Sequence, residues 1–187
     1  MPIANTQELF LHELAEIYDA EHTFVFGLQA MDQGASNEDL RSAVQNHLEQ
    51  TRGHIQNLEQ IFNQLDQEPY RETNEIAQGA AQELQKGLGE AHQSAELVDC
   101  VIVSAAIKVE HFEIASYRAL ITGAQQMGQQ EVVKLLEQNL QEEEQTAQIA
   151  EQSAPDLIQK AMRSEGEQQQ EEEKGLIDQA KDKLTGQ

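Results

Sequence analysis

Two glutamates three residues apart, Glu110 and Glu113, interrupt an otherwise apolar helical stretch, "AAIKVEHFEIASYRAL", residues 105–120. That spacing puts both side chains on neighbouring positions of one helix face. Glu113 falls in line with Ile102, Ala106, Val109 and Leu120, the residues that would look toward a core. Other apolar stripes carry acids in the same way. Glu21 follows Phe10, Leu14 and Ile17 and precedes Phe24 and Leu28; Glu143 sits among Val133, Leu136, Leu140 and Ala147. A fourth stripe, Val44, Leu48, Thr51, Ile55, Leu58 and Phe62, has Thr51 at the corresponding place and His54 one turn later.

Ionised carboxylates in a core are costly, and several together more so, unless protons, basic partners or a metal neutralise them. Basic partners are scarce: Lys108 and Arg118 project to other sides of their helix, and Arg52 is not aligned with His54. A cation is the simplest solution, and carboxylates with imidazole suit iron, manganese or zinc. In di-iron helical bundles two helices each give a Glu and the other two each give Glu-x-x-His. Here the two motifs are incomplete. "TRGH" at 51–54 lacks the acid, and "EEQT" at 143–146 lacks the histidine. Gln50 can offer an amide oxygen, and His47, one turn before it, can orient a ligand from behind. The expected ligands are therefore Glu21, His54, Glu110, Glu113 and Glu143, holding one metal ion, or two. If instead the acids form a partly wet helix flank, the site is vestigial. His12, His22, His92 and His111 are scattered and read as surface or structural residues, and Tyr18 and Tyr117 as core packing. Nothing in the sequence marks a separate catalytic residue: it has no phosphate-binding Gly-rich loop, Cys cluster or nucleophile elbow.

Positioning these residues requires four long helices. Apolar periodicity places them at about residues 6–33, 37–65, 95–126 and 130–153. Thr6 is the candidate cap of the first and Ser36 or Asn37 of the second, where Glu38 and Asp39 suit the positive helix start. Gly128 marks the end of the third, and Pro155 ends the fourth or begins the next segment. The connections within the first and second pairs are short, so each pair is an antiparallel hairpin. Between the pairs, about thirty residues with Pro69 and a glycine-bearing stretch, "NEIAQGAAQELQKGLGEAHQS", predict loops and one short helix. That segment is long enough to carry the chain back along the bundle. The fold class is all-α: a ferritin-like four-helix bundle of two antiparallel hairpins joined by a long crossover containing a short helix. In this layout Glu21, positions 48–51, Glu110 with Glu113, and positions 142–146 share one level. The bundle occupies residues 1–160, with room for a short helix in "SAPDLIQKAMRSEG". Residues 161–187 form an acidic, low-complexity tail that can be partly helical.

Composition narrows the function classes. The 187 residues include 11 Gly, 3 Pro and no Trp, a poor fit to a β-sandwich and a good one to helices. Thirty-four acids against 12 bases give a net charge of -22, which repels nucleic-acid backbones. No apolar run reaches membrane-spanning length, and the N-terminus lacks the pattern of a signal peptide. The one cysteine, Cys100, lies in an apolar run and reads as a core residue. These features predict a cytoplasmic protein with no nucleic-acid or membrane partner.

The blocks "ELFLHELAEIYDAEHTF", "HLEQTRGHIQNLEQIF", "VEHFEIASYRAL" and "LLEQNLQEEE" resemble, in order and spacing, the YciE/YciF family of bacterial stress proteins. The resemblance covers about residues 5–153. It implies a ferritin-like bundle related in shape to rubrerythrin, a homodimer, and a role in stress response. Rubrerythrin-type sites carry Glu-x-x-Glu on the third helix, and Glu110 and Glu113 match it; Glu21, His54 and Glu143 match other ligand positions, while Thr51 and Thr146 depart from them. The resemblance leaves two functions open. One is a ferritin-like metal protein acting on iron and peroxide. The other is a non-enzymatic helical stress or interaction protein whose metal site is vestigial.

Overall fold

The computed structural model describes the backbone of residues 3–185 and, within it, side chains other than those of 168, 172 and 178–185. Five helices and no strand occur among the described residues: α1 (Thr6–Gly34), α2 (Glu38–Gln64), α3 (Glu75–Ala91), α4 (Ala95–Gln126) and α5 (Gln130–Thr185). The four long helices begin where the apolar stripes predict them, and the first three also end there.

Two apolar clusters fix their directions. One gathers Phe10, Leu14 and Ile17 of α1, Leu58 and Phe62 of α2, Leu120 of α4 and Leu136 of α5. The other gathers Leu28 and Met31, Leu40 and Val44, Val98 and Ile102, and Ala150 and Leu157 from the same four helices. In chain order, α1 and α5 run from the first cluster to the second, and α2 and α4 run back. Thus α1/α2 and α4/α5 are antiparallel hairpins. α3 is the return path of the long crossover, with Ala77 in the first cluster and Leu84 in the second. It is a helix of 17 residues, longer than the short helix expected. Gly79 and Gly89 stand in open space, and Gly87 sits where an added Cβ would lie 2.8 Å from Val101 Cγ1. That glycine lets α3 approach α4 closely, a packing gain that outweighs its low helix propensity.

The helix ends are set by side chains. Asn5, not Thr6, caps α1: its side chain accepts from Glu8 N at 2.9 Å, and the Glu8 carboxylate accepts from Ala4 N at 2.7 Å. Glu8 thus stands three residues after the cap, and its carboxylate reaches the N–H just before the cap. Asn37 caps α2, accepting from Leu40 N. Gly128 adopts φ +72° after α4, the left-handed conformation that makes glycine the preferred residue at a helix C-terminus.

The fourth helix differs most from expectation. Pro155 does not end it; α5 passes through Pro155 and continues to Thr185. Proline removes one N–H and crowds the carbonyl one turn back, that of Glu151. Glu151 and Pro155 are both exposed, so water can satisfy the freed carbonyl. Beyond Ala161 no described side chain is buried.

Two acids that the apolar periodicity does not single out hold loops to the bundle. Buried Asp99 accepts from Ser36 N, Ser36 Oγ and Asn37 N at 2.6–3.1 Å, which locks the α1–α2 turn onto α4. Buried Asp19 accepts from Arg71 Nε at 2.7 Å and Asn74 N at 2.9 Å and anchors the start of the crossover.

Candidate metal centre

The layer between the two apolar clusters holds a different set of acids. Glu21 from α1, Glu110 and Glu113 from α4 and Glu143 from α5 are each at most 1% exposed, as is His54 from α2. All five predicted residues therefore meet in the interior. Unlike Asp19 and Asp99, they are not satisfied by donors: Glu21 Oε2, Glu110 Oε2, Glu113 Oε2 and both Glu143 oxygens have no hydrogen-bond partner in the protein. Orphaned carboxylate oxygens are among the most costly groups to bury.

Ligand-capable atoms form two groups, each within 4.8 Å of one another. One comprises His47, Glu110, Glu113 and Glu143; the other comprises Glu21, His54 and Glu143. Glu143 belongs to both. Its Oε1 lies 2.9 Å from His54 Nδ1 and its Oε2 lies 3.6 Å from His47 Nε2. Yet neither His54 Nδ1 nor Glu143 Oε1 is in hydrogen-bond alignment. Donor atoms that crowd together without bonding to each other are arranged as ligands to a common centre would be.

Surrounding residues set the tautomer of each imidazole. On the outer side of His54, Nε2 lies 2.9 Å from the partly exposed carboxylate of Glu142. With an Nε2 proton donated there, Nδ1 is the nitrogen that faces Glu21 and Glu143; it holds the second proton in the metal-free protein and becomes a ligand atom only when that proton leaves. At His47, Nδ1 lies 3.2 Å from Thr146 Oγ1, which itself donates to Glu142 O at 3.0 Å. Thr146 can then only accept from His47, so Nδ1 carries a proton and Nε2 is the nitrogen that points inward, 3.2 Å from Glu110 Oε1. An outer hydrogen bond that orients the imidazole is the usual support of a metal-ligating histidine.

His47 is the residue that sequence reasoning places too far out. Its spacing from Gln50 predicts a residue that orients a ligand from behind, and it stands among the candidate ligands instead. A signal for this is present: His47, Thr51, His54, Leu58 and Ile61 recur at spacings of three and four and are all buried, which makes them the inward stripe of α2. Thr146 occupies the place of the missing histidine in the second Glu-x-x-His, and it touches the His47 ring. α2 thus delivers the imidazole that α5 lacks. Thr51 supplies no ligand; its hydroxyl donates to His47 O at 2.9 Å. Gln50 Oε1 is buried without a partner. Tyr117 does more than pack: its hydroxyl donates to Glu21 Oε1 and accepts from Asn139 Nδ2 at 3.0 Å, while Asn139 Oδ1 accepts from Asn57 Nδ2 at 2.7 Å. Tyr18 donates outward to Glu59. Lys108, Arg118 and Arg52 pair with Glu83, Glu144 and Glu49 at the surface, so none of these three bases neutralises the layer.

The electrostatics reflect that arrangement. Burial raises the Glu110 carboxyl to about 7, with Glu21 adding to the rise and Glu143 and His54 opposing it. Burial raises Glu143 to about 8, moderated by its contact with His54 and reinforced by Glu110 and Glu21. Glu113 is held well above the carboxylate range by burial and by Glu143, Glu21 and Glu110. Burial opposes charging of His54, but Glu143 and Glu21 overcome it and raise its pKa to about 11. Without a metal, protons hold the layer together.

Among the described residues no helix is long and apolar enough to cross a membrane. Residues 5–163 match the family model described as a domain of unknown function, DUF892. Protein YciF of Escherichia coli strain K12 is 33% identical over 146 residues, 78% of this chain and 88% of that protein. The crystal structure of the E. coli stress protein YciF superposes with a TM-score of 0.79 at 31% identity, covering 84% of this chain and 99% of that one. YcfI from Rhodopseudomonas palustris superposes with a TM-score of 0.78 at 34% identity, covering 80% and 94%.

Proposed function

We propose that this chain, which belongs to the DUF892 family of YciF-like proteins, is a stress-response metalloprotein that holds one or two transition-metal ions in its buried acidic layer and acts on iron and peroxide. The observation that carries the reading is the set of unpartnered carboxylate oxygens that converge with His47 and His54 ring nitrogens between two apolar clusters. Four carboxylates would balance the charge of two divalent ions, and Glu143 would serve both groups. The donor set is oxygen and imidazole without thiolate, which suits iron or manganese, with zinc also accommodated. A ferrous ion held there would supply electrons to peroxide or oxygen. The protein's own part is to exclude bulk water, to orient His47 and His54 through Thr146 and Glu142, and to hold Glu21 through Tyr117. The resemblance further suggests a homodimer as the working unit.

The test is elemental analysis of protein purified without chelators, then anaerobic Fe(II) titration. One or two irons per chain, lost on Glu113→Ala, are expected, with peroxide turnover as the next assay. Unchanged metal content in Glu113→Ala would defeat the assignment.

A second reading has its own support. Thr51 and Thr146 replace two expected ligands, and protons on His54 and the raised carboxyls can neutralise the layer by themselves. On that reading the chain is a non-enzymatic interaction protein and folds equally well with chelator present.

A further inference from the structure

A long apolar groove opens between α1, α3 and α4, with a volume of about 840 Å³. Its walls are α1 residues such as Phe24 and Leu28, Leu84 of α3, and Val101 and Val109 of α4. It ends on His47 and Glu110. A smaller cavity of about 200 Å³, bounded by α2 and α5, reaches the same two residues. The cavities also share Leu28, Met31 and Ala106, and so converge on one spot at the edge of the acidic layer. Glu110 is 1% exposed, lines both cavities, and has an unpartnered Oε2.

The two ends of the groove differ in charge. At the outer part, Glu83 is paired with Lys108 at 2.5 Å and Glu90 with Lys86 at 3.8 Å, so the rim is balanced. At the buried end stands Glu110, grouped with Glu113 and Glu143; the smaller cavity is lined by no lysine or arginine, and the two lysines of the groove, Lys86 and Lys108, are the paired ones at the rim. A charged group brought there would be stripped of water with no free opposite charge among the lining residues, and an uncharged one would not. Small side chains, Ala80, Ala105 and Ala106 among them, leave the floor open. The volume lies in the roughly 300–1,000 Å³ range of small-molecule sites.

We infer that the groove between α1, α3 and α4 binds an uncharged, largely apolar small molecule and leads one end of it to His47 and Glu110 at the edge of the acidic layer. The inference rests on the metal-site reading for its meaning, since it names the substrate class of that site, but the groove can be tested separately.

The probe is N-phenyl-1-naphthylamine, which is neutral and fluoresces when it leaves water, titrated into the full chain. Saturable binding at one site per chain is expected, displaced by 1-decanol and at least tenfold less effectively by decanoate at pH 8. Ala106→Phe fills the point where the cavities meet and should weaken probe binding at least tenfold. Ser104→Phe, on the exposed wall, is the second variant should the first lose its helical circular dichroism, and it should weaken binding severalfold. Absence of saturable binding, binding unaltered in a folded variant, or equal displacement by decanoate would overturn the inference. So would a two-chain mass in light scattering with probe binding only on dilution, which would make a second copy the occupant. Co(II) titration by visible absorption on the same samples separates the two readings. Cobalt uptake without probe binding removes the groove ligand and leaves the metal centre; probe binding without cobalt uptake does the reverse.

Discussion

Metal uptake by this layer should release protons, and the number can be worked out from the site. In the metal-free protein at pH 7, Glu110 with a pKa of about 7 is half protonated. Glu143, at about 8, is mostly protonated, Glu113 lies well above the carboxylate range, and His54, at about 11, carries its extra proton. Glu110, Glu143 and His54 must give up these protons to act as ligands, so binding at pH 7 should release at least about two protons. The assay is calorimetric titration of Co(II) or anaerobic Fe(II) at pH 7 in buffers of differing ionisation enthalpy. The slope of observed enthalpy against buffer enthalpy counts the protons. Apparent affinity should also rise by roughly two to three powers of ten between pH 6 and 7. A slope near zero, with affinity flat across pH, would refute the reasoning: the ions would then be bound by surface acids that are already ionised.

The same pKa values bear on stability in the metal-free state. Glu110 and Glu143 have folded pKa values of about 7 and about 8, above the ordinary carboxyl value of 4.5, so the folded state binds more protons than the unfolded one. Their contribution is fully present below 4.5 and is lost as pH rises through about 8. Melting with chelator should therefore show a falling Tm from about pH 5 to 8, and added metal should recover the loss. His47→Ala should leave the group of Glu21, His54 and Glu143 intact and reduce cobalt stoichiometry by one ion, read by visible absorption. Glu143→Gln, nearly isosteric with a carboxyl that is mostly protonated at pH 7, should leave the chelator-treated Tm within a few degrees and abolish metal uptake. Asp99→Ala removes three hydrogen bonds to the α1–α2 turn and should destabilise by about 2–4 kcal/mol in denaturant unfolding without changing metal stoichiometry.

The helices and the acidic layer are legible in the sequence because both depend on periodicity. Glu21, Glu110, Glu113 and Glu143 stand out as acids in otherwise apolar stripes, and hairpin geometry alone places them at one level. What periodicity does not carry is tertiary override. The glycines of α3 read as breakers, yet one of them permits its contact with Val101. Pro155 reads as a stop, yet the carbonyl it frees lies on an exposed face where water can satisfy it. His47 reads too far out because the motif it replaces belongs to another helix. Only the packing of α2 against α5 brings it beside Thr146. Asp99 reads only as an interruption of an apolar run; the backbone donors it serves lie more than sixty residues away in the chain.

The central claim is that metal sits among buried carboxylates that share Glu143. Anomalous diffraction from crystals grown with Fe(II) or Mn(II) tests it most directly. One or two peaks beside the Glu143 carboxylate, one near His47 and Glu110 and the other near Glu21 and His54, are the predicted result. Peaks confined to surface acids, or none at all, would contradict it.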